Sequence, residues 1–171
     1  SSALEAEALR LFIGSKETLL IRNPYLIRRG FLGAMIEAAG RGVSVRCVTA
    51  DEHNDSLVHL GITRSWYPLL HEAGVAIREH LHHFSHTKAL TVDGRRTLLG
   101  SFNYNNRSSV LDFECGIIIE DESFAQEVER RLYDDDVARG VADPKTGDLE
   151  AQHLALIAPS LVTFELWGTF L

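Results

Sequence analysis

The pattern of apolar and polar positions predicts helices that alternate with strands along most of the chain. In residues 2–13, for example, Leu4, Ala8, Leu11 and Phe12 recur at helical spacing and share one face of an amphipathic helix. The same criteria predict helices at residues 28–39, 61–72 and 123–139, and strands at residues 18–24, 43–50, 75–81 and 113–121. This alternation predicts a layered α/β fold with a mixed, mostly parallel central sheet.

Two segments break the alternation. Residues 88–101 consist of two short apolar runs around an Asp-Gly pair, which predicts a β-hairpin. The last 18 residues, 154–171, are apolar but interrupted by proline, glutamate and glycine. We therefore predict one domain in residues 1–140 and a tail in residues 141–171 that packs on the domain or at a membrane or partner surface.

The composition is that of an ordinary globular protein. A chain of 171 residues with 45 % hydrophobic and 24 % charged residues is large enough to form a core without disulfide or metal staples. Two cysteines, Cys47 and Cys115, are too few for a disulfide framework, and their apolar neighbours predict that both are reduced and buried. We find no run of about 20 apolar residues that would predict a membrane span.

The charge distribution is uneven. The formal net charge of −7 argues against a general nucleic-acid coat protein, which would carry excess lysine and arginine. Residues 78–107 nevertheless contain five Lys or Arg against two acids, together with four histidines. This local basic patch suits an anionic phosphodiester.

The candidate chemistry lies around the predicted hairpin. His86 and Lys88 are two positions apart in an extended segment, so their side chains point to the same face. An imidazole can act as nucleophile or as acid and base, and an ammonium group neutralises a phosphate oxygen, so the pair suits a phosphoryl centre. After the turn, Gly100 lets the backbone approach closely, and Ser101 and Asn103 present a hydroxyl and an amide on one face.

Two carboxylates accompany these residues. Glu114 stands at the start of the next predicted strand, where it could hold an imidazole N–H and fix the tautomer of the ring. Asp93 lies in the hairpin turn, and the alternation from His86 and Lys88 turns its side chain away from their face. This orientation favours a structural role for Asp93.

The spacing of these residues resembles the signature of the phospholipase D superfamily. That signature is histidine, one residue, lysine, four residues, aspartate, six residues and then Gly-Ser-x-Asn. Its five polar positions are present here as His86, Lys88, Asp93, Ser101 and Asn103. The resemblance implies an α/β/α sandwich of the phospholipase D type.

The flanking sequence narrows the resemblance to bacterial cardiolipin synthases and related phosphatidyltransferases. Residues 101–114 resemble their GSxNxDxRSxxxNxE run, although Asn105 stands where the family has aspartate and Asp112 where it has asparagine. Residues 22–55 resemble the segment that precedes the second of two such motifs in those enzymes. The resemblance covers about residues 8–135 and not the tail.

In this family the motif histidines of two similar halves meet at one site. One attacks phosphorus and forms a phosphohistidine, while the other protonates the leaving alcohol and then deprotonates the incoming one, without a metal or other cofactor. Because this chain has one motif, the resemblance implies a second half, supplied by a longer polypeptide or by an identical subunit. It implies phosphatidyl transfer between anionic phospholipids such as phosphatidylglycerol, at the cytoplasmic side of the membrane or, alternatively, in the cytoplasm.

The resemblance also implies roles for single residues. His86 is the nucleophile or the acid and base, Lys88 and Asn103 bind the phosphate, and Ser101 supports it. Glu114 matches the acidic residue that contacts a motif histidine, often that of the opposite half. Two assignments stay open: Asp93 belongs to the catalytic signature despite its turn position, and Arg107 binds a second phosphate or headgroup, or pairs with an acid.

Other interpretations remain beside this one. The chain could be a single-motif nuclease that acts on DNA or RNA as a homodimer, or a non-catalytic binding module with the same fold. The histidines His80, His82, His83 and His86 suggest zinc, but their spacing fits no paired-ligand motif and no cysteine accompanies them, so we expect no metal. Residues 51–55 are expected to form a polar loop that could shape the acceptor site.

Overall fold

A computed structural model describes residues 2–81, 84–134 and 141–142. The strands within these residues are β1 (Thr18–Arg22), β2 (Ser44–Ala50), β3 (Ala76–His80), β4 (Ala89–Val92), β5 (Arg96–Gly100), β6 (Gly116–Glu120) and β7 (Val141–Ala142). The helices are α1 (Ser2–Gly14), α2 (Arg29–Gly40), α3 (Leu57–Ser65), α4 (Tyr67–Glu72), α5 (Asn106–Val110) and α6 (Glu122–Glu129), and a π-helical turn (Arg130–Asp134) follows α6.

These strands form one mixed sheet in the order β6-β5-β4-β1-β2-β3-β7. The mixed α/β architecture is confirmed, but the expected parallel majority is wrong. Only β1 with β2 and β2 with β3 pair in parallel, whereas the other four pairings are antiparallel. The reason lies in the connections, because parallel neighbours need a long crossover and β4 joins β5 through a tight turn instead.

The sheet is covered on both faces, as an α/β/α sandwich requires. Leu19 and Ile21 of β1 belong to the main core, which also contains buried residues of α1, α2 and α4. Leu20 points the other way and forms a second cluster with Val48 and Tyr133 of the π-helical turn. Alternate residues of one strand therefore pack against two different helical layers.

Two local differences from the predicted elements have clear causes. The predicted helix 61–72 is two helices, and α3 already begins at Leu57 because the Ser56 hydroxyl caps it by accepting a hydrogen bond from the His59 amide at 3.4 Å. Pro68 cannot continue a helix, since it lacks an N–H and its ring clashes with the preceding turn, so α4 starts anew with Pro68 in its first turn.

The cysteine prediction is half right. Cys47 is fully buried in β2, but Cys115 is exposed because it immediately precedes β6, the strand at the edge of the sheet. Most of the predicted tail, residues 143–171, lies outside the described residues. The predicted domain boundary at residue 140 therefore stays a prediction.

Candidate active site

His86 and Lys88 lie on the extended segment that leads into β4. His86 is exposed and Lys88 is partly buried. The segment is held from both sides, because Arg22 at the end of β1 donates to the Ser85 hydroxyl at 2.9 Å and the Lys88 ammonium donates to the His86 carbonyl at 2.8 Å. These contacts fix the backbone on either side of the imidazole.

The imidazole of His86 lies near two aromatic rings. Its centroid is 6.1 Å from that of Tyr25, in an edge-to-face arrangement, and 5.3 Å from that of Phe84. Tyr25 is buried and belongs to the segment after β1, so its position is set by the core. Sequence reasoning did not identify this aromatic contact.

The second half of the motif returns beside Lys88. The Gly100 amide donates to the Lys88 carbonyl at 3.3 Å. A Cβ atom at Gly100 would lie 2.5 Å from the Cys115 carbonyl oxygen, so only glycine fits where β5 runs against the start of β6. The close approach that the sequence predicts at Gly100 is therefore present.

Ser101 connects the motif to Glu114. The Cys115 amide donates to the Ser101 hydroxyl at 3.0 Å, and that hydroxyl donates to the Glu114 carboxylate. In the free protein the hydroxyl thus orients an acid. A direct contact between Ser101 and a phosphate oxygen stays a prediction.

Burial and charge set the proton affinities at this site. Burial and the nearby Lys88 ammonium lower the pKa of His86 below its usual range, although Asp55 and Glu114 oppose this effect. Burial lowers the pKa of Lys88 to about 8, again against Glu114 and Asp55. One electrostatic cluster therefore contains His86, Lys88, Glu114 and Asp55. Its members come from the segment before β4, the segment before β6 and the loop after β2.

Asn103, between β5 and α5, has a side-chain oxygen without a hydrogen-bond partner in the described part of the chain. Its backbone N–H donates to the Ser108 hydroxyl at 3.3 Å. The side-chain oxygen, Oδ1, is buried. The expected role of the amide in phosphate binding stays a prediction.

Asp93 lies away from the cluster, at the opposite end of β4. Its Oδ1 atom accepts hydrogen bonds from the backbone amides of Lys16, Glu17 and Thr18 at 3.0, 2.8 and 3.1 Å. Burial raises the pKa of Asp93, but these backbone donors outweigh it and the net pKa is lowered. Asp93 and Gly94 both have positive φ angles, 54° and 59°, as a type I′ hairpin turn requires.

These contacts give Asp93 a structural role at the hairpin, and its inclusion among the catalytic residues stays a prediction. Asp93 lies five positions along the extended chain from Lys88, about 17 Å at the rise of a strand. Its carboxylate ties the segment before β1 to the hairpin turn. The structural alternative is the one that the geometry supports.

The segment after Asn103 forms a helix that the sequence analysis missed. The Asn105 side chain caps α5 by accepting a hydrogen bond from the Ser108 amide at 2.9 Å. Asparagine and aspartate cap helices about equally well, which accounts for the departure from the family pattern at this position. The sequence signal for this helix was Asn105, because an asparagine can cap a helix by accepting from the amide three positions later.

Arg107 pairs with an acid, one of the two roles left open for it. Its Nε atom lies 3.0 Å from Asp112 Oδ1, and 71 % of its side chain is exposed. Such an exposed pair contributes at most about 1 kcal/mol, so a ligand could displace Asp112. Binding of a second phosphate by Arg107 stays a prediction.

The described residues show neither a metal cluster nor a membrane-spanning helix. Within residues 2–81, 84–134 and 141–142, no three His, Cys, Asp or Glu side chains are grouped so that they could hold a metal ion. His82 and His83, from the zinc interpretation, lie outside these residues. In the same part of the chain, no helix is both long and apolar enough to cross a bilayer.

Comparison with known proteins shows the family to which the chain belongs. A family model described as cardiolipin synthase, PLD-like domain, where PLD denotes phospholipase D, matches residues 9–135. The chain belongs to this family. Residues 9–135 therefore form a PLD-like domain.

The similar proteins differ in how much of their length this PLD-like domain covers. Cardiolipin synthase A of Serratia proteamaculans is 35 % identical over 126 residues, which are 73 % of this chain but 26 % of that protein. The chain thus matches about a quarter of its relative.

Solved structures confirm the fold. Nuc of Salmonella typhimurium, a phospholipase D family member, superposes with a TM-score of 0.70 at 17 % identity and covers 83 % of this chain and 91 % of its own. Phosphatidylserine synthase of Haemophilus influenzae superposes with a TM-score of 0.72 at 17 % identity and covers 94 % of this chain but 42 % of its own. One fold unit therefore makes up most of one protein and less than half of another.

Proposed function

We propose that this chain supplies one of two motif halves of a phosphatidyltransferase, which transfers a phosphatidyl group from one phospholipid to a hydroxyl of another. The preferred donor and acceptor are phosphatidylglycerol, and the product is then cardiolipin. The observation that carries the proposal is the cluster of His86, Lys88 and Glu114 in a domain that belongs to the cardiolipin synthase, PLD-like family. Hydrolysis is the same chemistry with water as acceptor.

The reaction follows from the groups that the cluster presents. In the first step, one imidazole nitrogen attacks phosphorus, a P–N bond forms, and the P–O bond to the leaving alcohol breaks as a second histidine donates a proton to it. In the second step, the acceptor hydroxyl gives its proton to that second histidine and displaces the phosphohistidine. His86 takes one of these two roles, and the Lys88 ammonium neutralises a phosphate oxygen throughout.

The second histidine has to come from another half. The match to about a quarter of a longer cardiolipin synthase favours a half within the same longer polypeptide, and an identical subunit is the alternative. Exposed apolar side chains flank Glu114 and offer a surface on which that half would dock. These residues, which we call the apolar rim, are Val110, Leu111, Phe113 and Ile117, exposed by 70, 63, 103 and 59 %.

The test is an assay of the chain and of the complete polypeptide from its gene on phosphatidylglycerol vesicles. The proposal predicts release of glycerol and formation of cardiolipin, both abolished by His86→Asn and both unaffected by His71→Asn, an exposed histidine on α4. A phosphorylated intermediate should be trapped on a motif histidine. An intermediate that survives His86→Asn would exclude His86 as the nucleophile.

A homodimeric single-motif nuclease is the second candidate. It is supported by the Salmonella phospholipase D family member, in which the same fold unit accounts for 91 % of the aligned chain. Oligonucleotides should be assayed alongside the lipid. If nucleic acid is the substrate, its binding should weaken steeply with salt, because phosphate contacts release counterions. Unchanged biological activity of His86→Asn would instead favour the non-catalytic binding module.

A further inference from the structure

Tyr25 contacts His86 with its ring and a carboxylate with its hydroxyl. The phenol is buried, its ring lies edge-to-face with the imidazole of His86, and its hydroxyl donates to Asp55 Oδ1 at 2.5 Å. Burial and the Asp55 carboxylate both raise the pKa of Tyr25 well above its usual range, so the hydroxyl stays protonated and remains a donor. A short hydrogen bond to a charged acceptor is among the stronger kinds in proteins.

Asp55 belongs to the loop after β2, and this loop is fixed rather than merely polar. The Asn54 amide donates to the Pro24 carbonyl at 3.5 Å and its oxygen accepts from the Ser56 amide at 2.9 Å. Asp55 itself is exposed. Its neighbours thus fix the backbone, while Tyr25 fixes the side chain.

The segment that carries Tyr25 is fixed to the motif in turn. The Asn23 side-chain amide donates to the Phe102 carbonyl at 3.0 Å, and its oxygen accepts from the Tyr25 and Tyr104 amides at 3.2 and 3.4 Å. Asp55, Tyr25 and the residues around Asn103 are therefore connected by a continuous set of hydrogen bonds. Tyr25 is held by this network independently of His86.

We propose that Tyr25 and Asp55 form a positioning pair for His86, in which the Tyr25 ring orients the imidazole and the Tyr25 hydroxyl holds Asp55 where its negative charge stabilises the protonated ring. The groups that act on His86 are Lys88 from its own segment, Asp55 from the loop after β2 and Glu114 from the segment before β6. Lys88 and burial disfavour the charged ring, and the two carboxylates favour it.

The positioning pair would assist catalysis by stabilising the imidazolium form of His86 during turnover. This part of the inference rests on the proposed function. Burial and Lys88 both make the imidazole a weaker base and so oppose its taking up a proton. Asp55 offsets this effect from within the chain, in addition to Glu114. Unlike Glu114, Asp55 lies outside the motif and is not part of the signature that the sequence analysis used.

The experiment is a titration of the histidine rings by NMR in the full 171-residue chain, with His86→Asn to assign the His86 signal. Asp55→Asn should lower the pKa of His86, because it removes a charge that favours the imidazolium. Tyr25→Phe, which removes only the hydroxyl, should lower it by a smaller amount. The double variant should titrate like Asp55→Asn, since the hydroxyl acts through the carboxylate.

Two further signals make the result decisive. Burial lowers the pKa of His59, whose ring lies 4.9 Å from that of Tyr25, and Asp55 partly offsets this effect. A further drop in the pKa of His59 therefore reports that the carboxylate has been removed from a folded protein. Glu52→Gln removes an exposed carboxylate that pairs with Arg64 at 3.4 Å and should leave His86 unchanged. Asp55→Ser repeats the test with a second side chain.

The proposal is overturned if Asp55→Asn shifts His59 but not His86, or if Tyr25→Phe still shifts His86 when Asp55 is absent. The titration needs no substrate, so it is decided separately from the proposed function. An enzyme without phosphatidyl transfer activity whose His86 shifts as expected would contradict the proposed function and leave the positioning pair standing.

Discussion

The residues of the motif at the two ends of β4 differ in what their side chains bind. At the turn, the Asp93 carboxylate accepts hydrogen bonds from three consecutive backbone amides and so stabilises the folded structure. At the other end, the His86 side chain is largely exposed, and partial burial and the Lys88 ammonium lower the pKa of His86. Burial lowers the pKa of Lys88 to about 8. The motif is continuous in sequence, but its residues have different surroundings. Asp93 stabilises the hairpin, whereas His86 and Lys88 are available for chemistry.

This division follows from what each end demands. The segment that leads into β1 presents three backbone N–H groups beside the turn, and the Asp93 carboxylate satisfies them. A reactive site needs groups whose preferred partner is the substrate. Substitutions at the two ends should therefore fail in different assays.

The largest effect is expected from His86→Asn. It should reduce turnover of the assembled enzyme by about 10³-fold, the scale of a lost acid–base or nucleophilic group. The melting temperature should stay unchanged because the imidazole is exposed. Comparable loss of activity in His71→Asn would show that the effect is not specific to the motif.

Lys88→Met should cost about 10²-fold in kcat, as removal of one charged donor at a reacting oxygen does. Because the pKa of Lys88 is about 8, kcat/KM should fall as the pH rises through that value and the ammonium is lost. Lys88→Arg keeps its charge at higher pH, so its alkaline limb should move upward even if kcat is lower. An identical alkaline limb in both enzymes would assign it to another group.

Asp93→Asn should instead destabilise the fold by about 2–3 kcal/mol, because it removes a charged acceptor from three amides. Since the folded-state pKa of Asp93 is lowered, its stabilisation is present above the unfolded-state value of about 3.9 and is lost as the pH falls through the folded value. The difference between variant and wild type in denaturant unfolding should shrink in acid. A loss of kcat in folded Asp93→Asn would contradict a purely structural role.

The smallest effect on the chain itself is expected at the apolar rim. Phe113→Ser should leave the free energy of unfolding unchanged, because Phe113 is fully exposed. It should weaken association with the second half by about 1.5 kcal/mol, which sedimentation would detect. Ile13→Ser, an exposed apolar residue on α1, is the matched control and should leave association unchanged.

The sequence was sufficient for the layered fold and for most of the cluster, because periodicity and the fixed spacing of the motif are local signals. It overestimated the parallel pairing, since strand direction depends on connections whose path is not encoded locally. It also placed residues 51–55 in a polar loop that could shape the acceptor site, without indicating a contact with Tyr25. The contact between Asp55 and Tyr25 joins residues 30 positions apart, and only the tertiary fold reveals it.

The central claim is that one copy of this domain holds half of a reactive site. It is tested most directly by measuring, on one dilution series, the solution mass of the chain and its specific activity on phosphatidylglycerol and on oligonucleotides. The account predicts that the 19.1 kDa species is inactive, and that any activity follows the fraction of dimer or requires an added second half. Full specific activity of a 19.1 kDa species, independent of concentration, would contradict it.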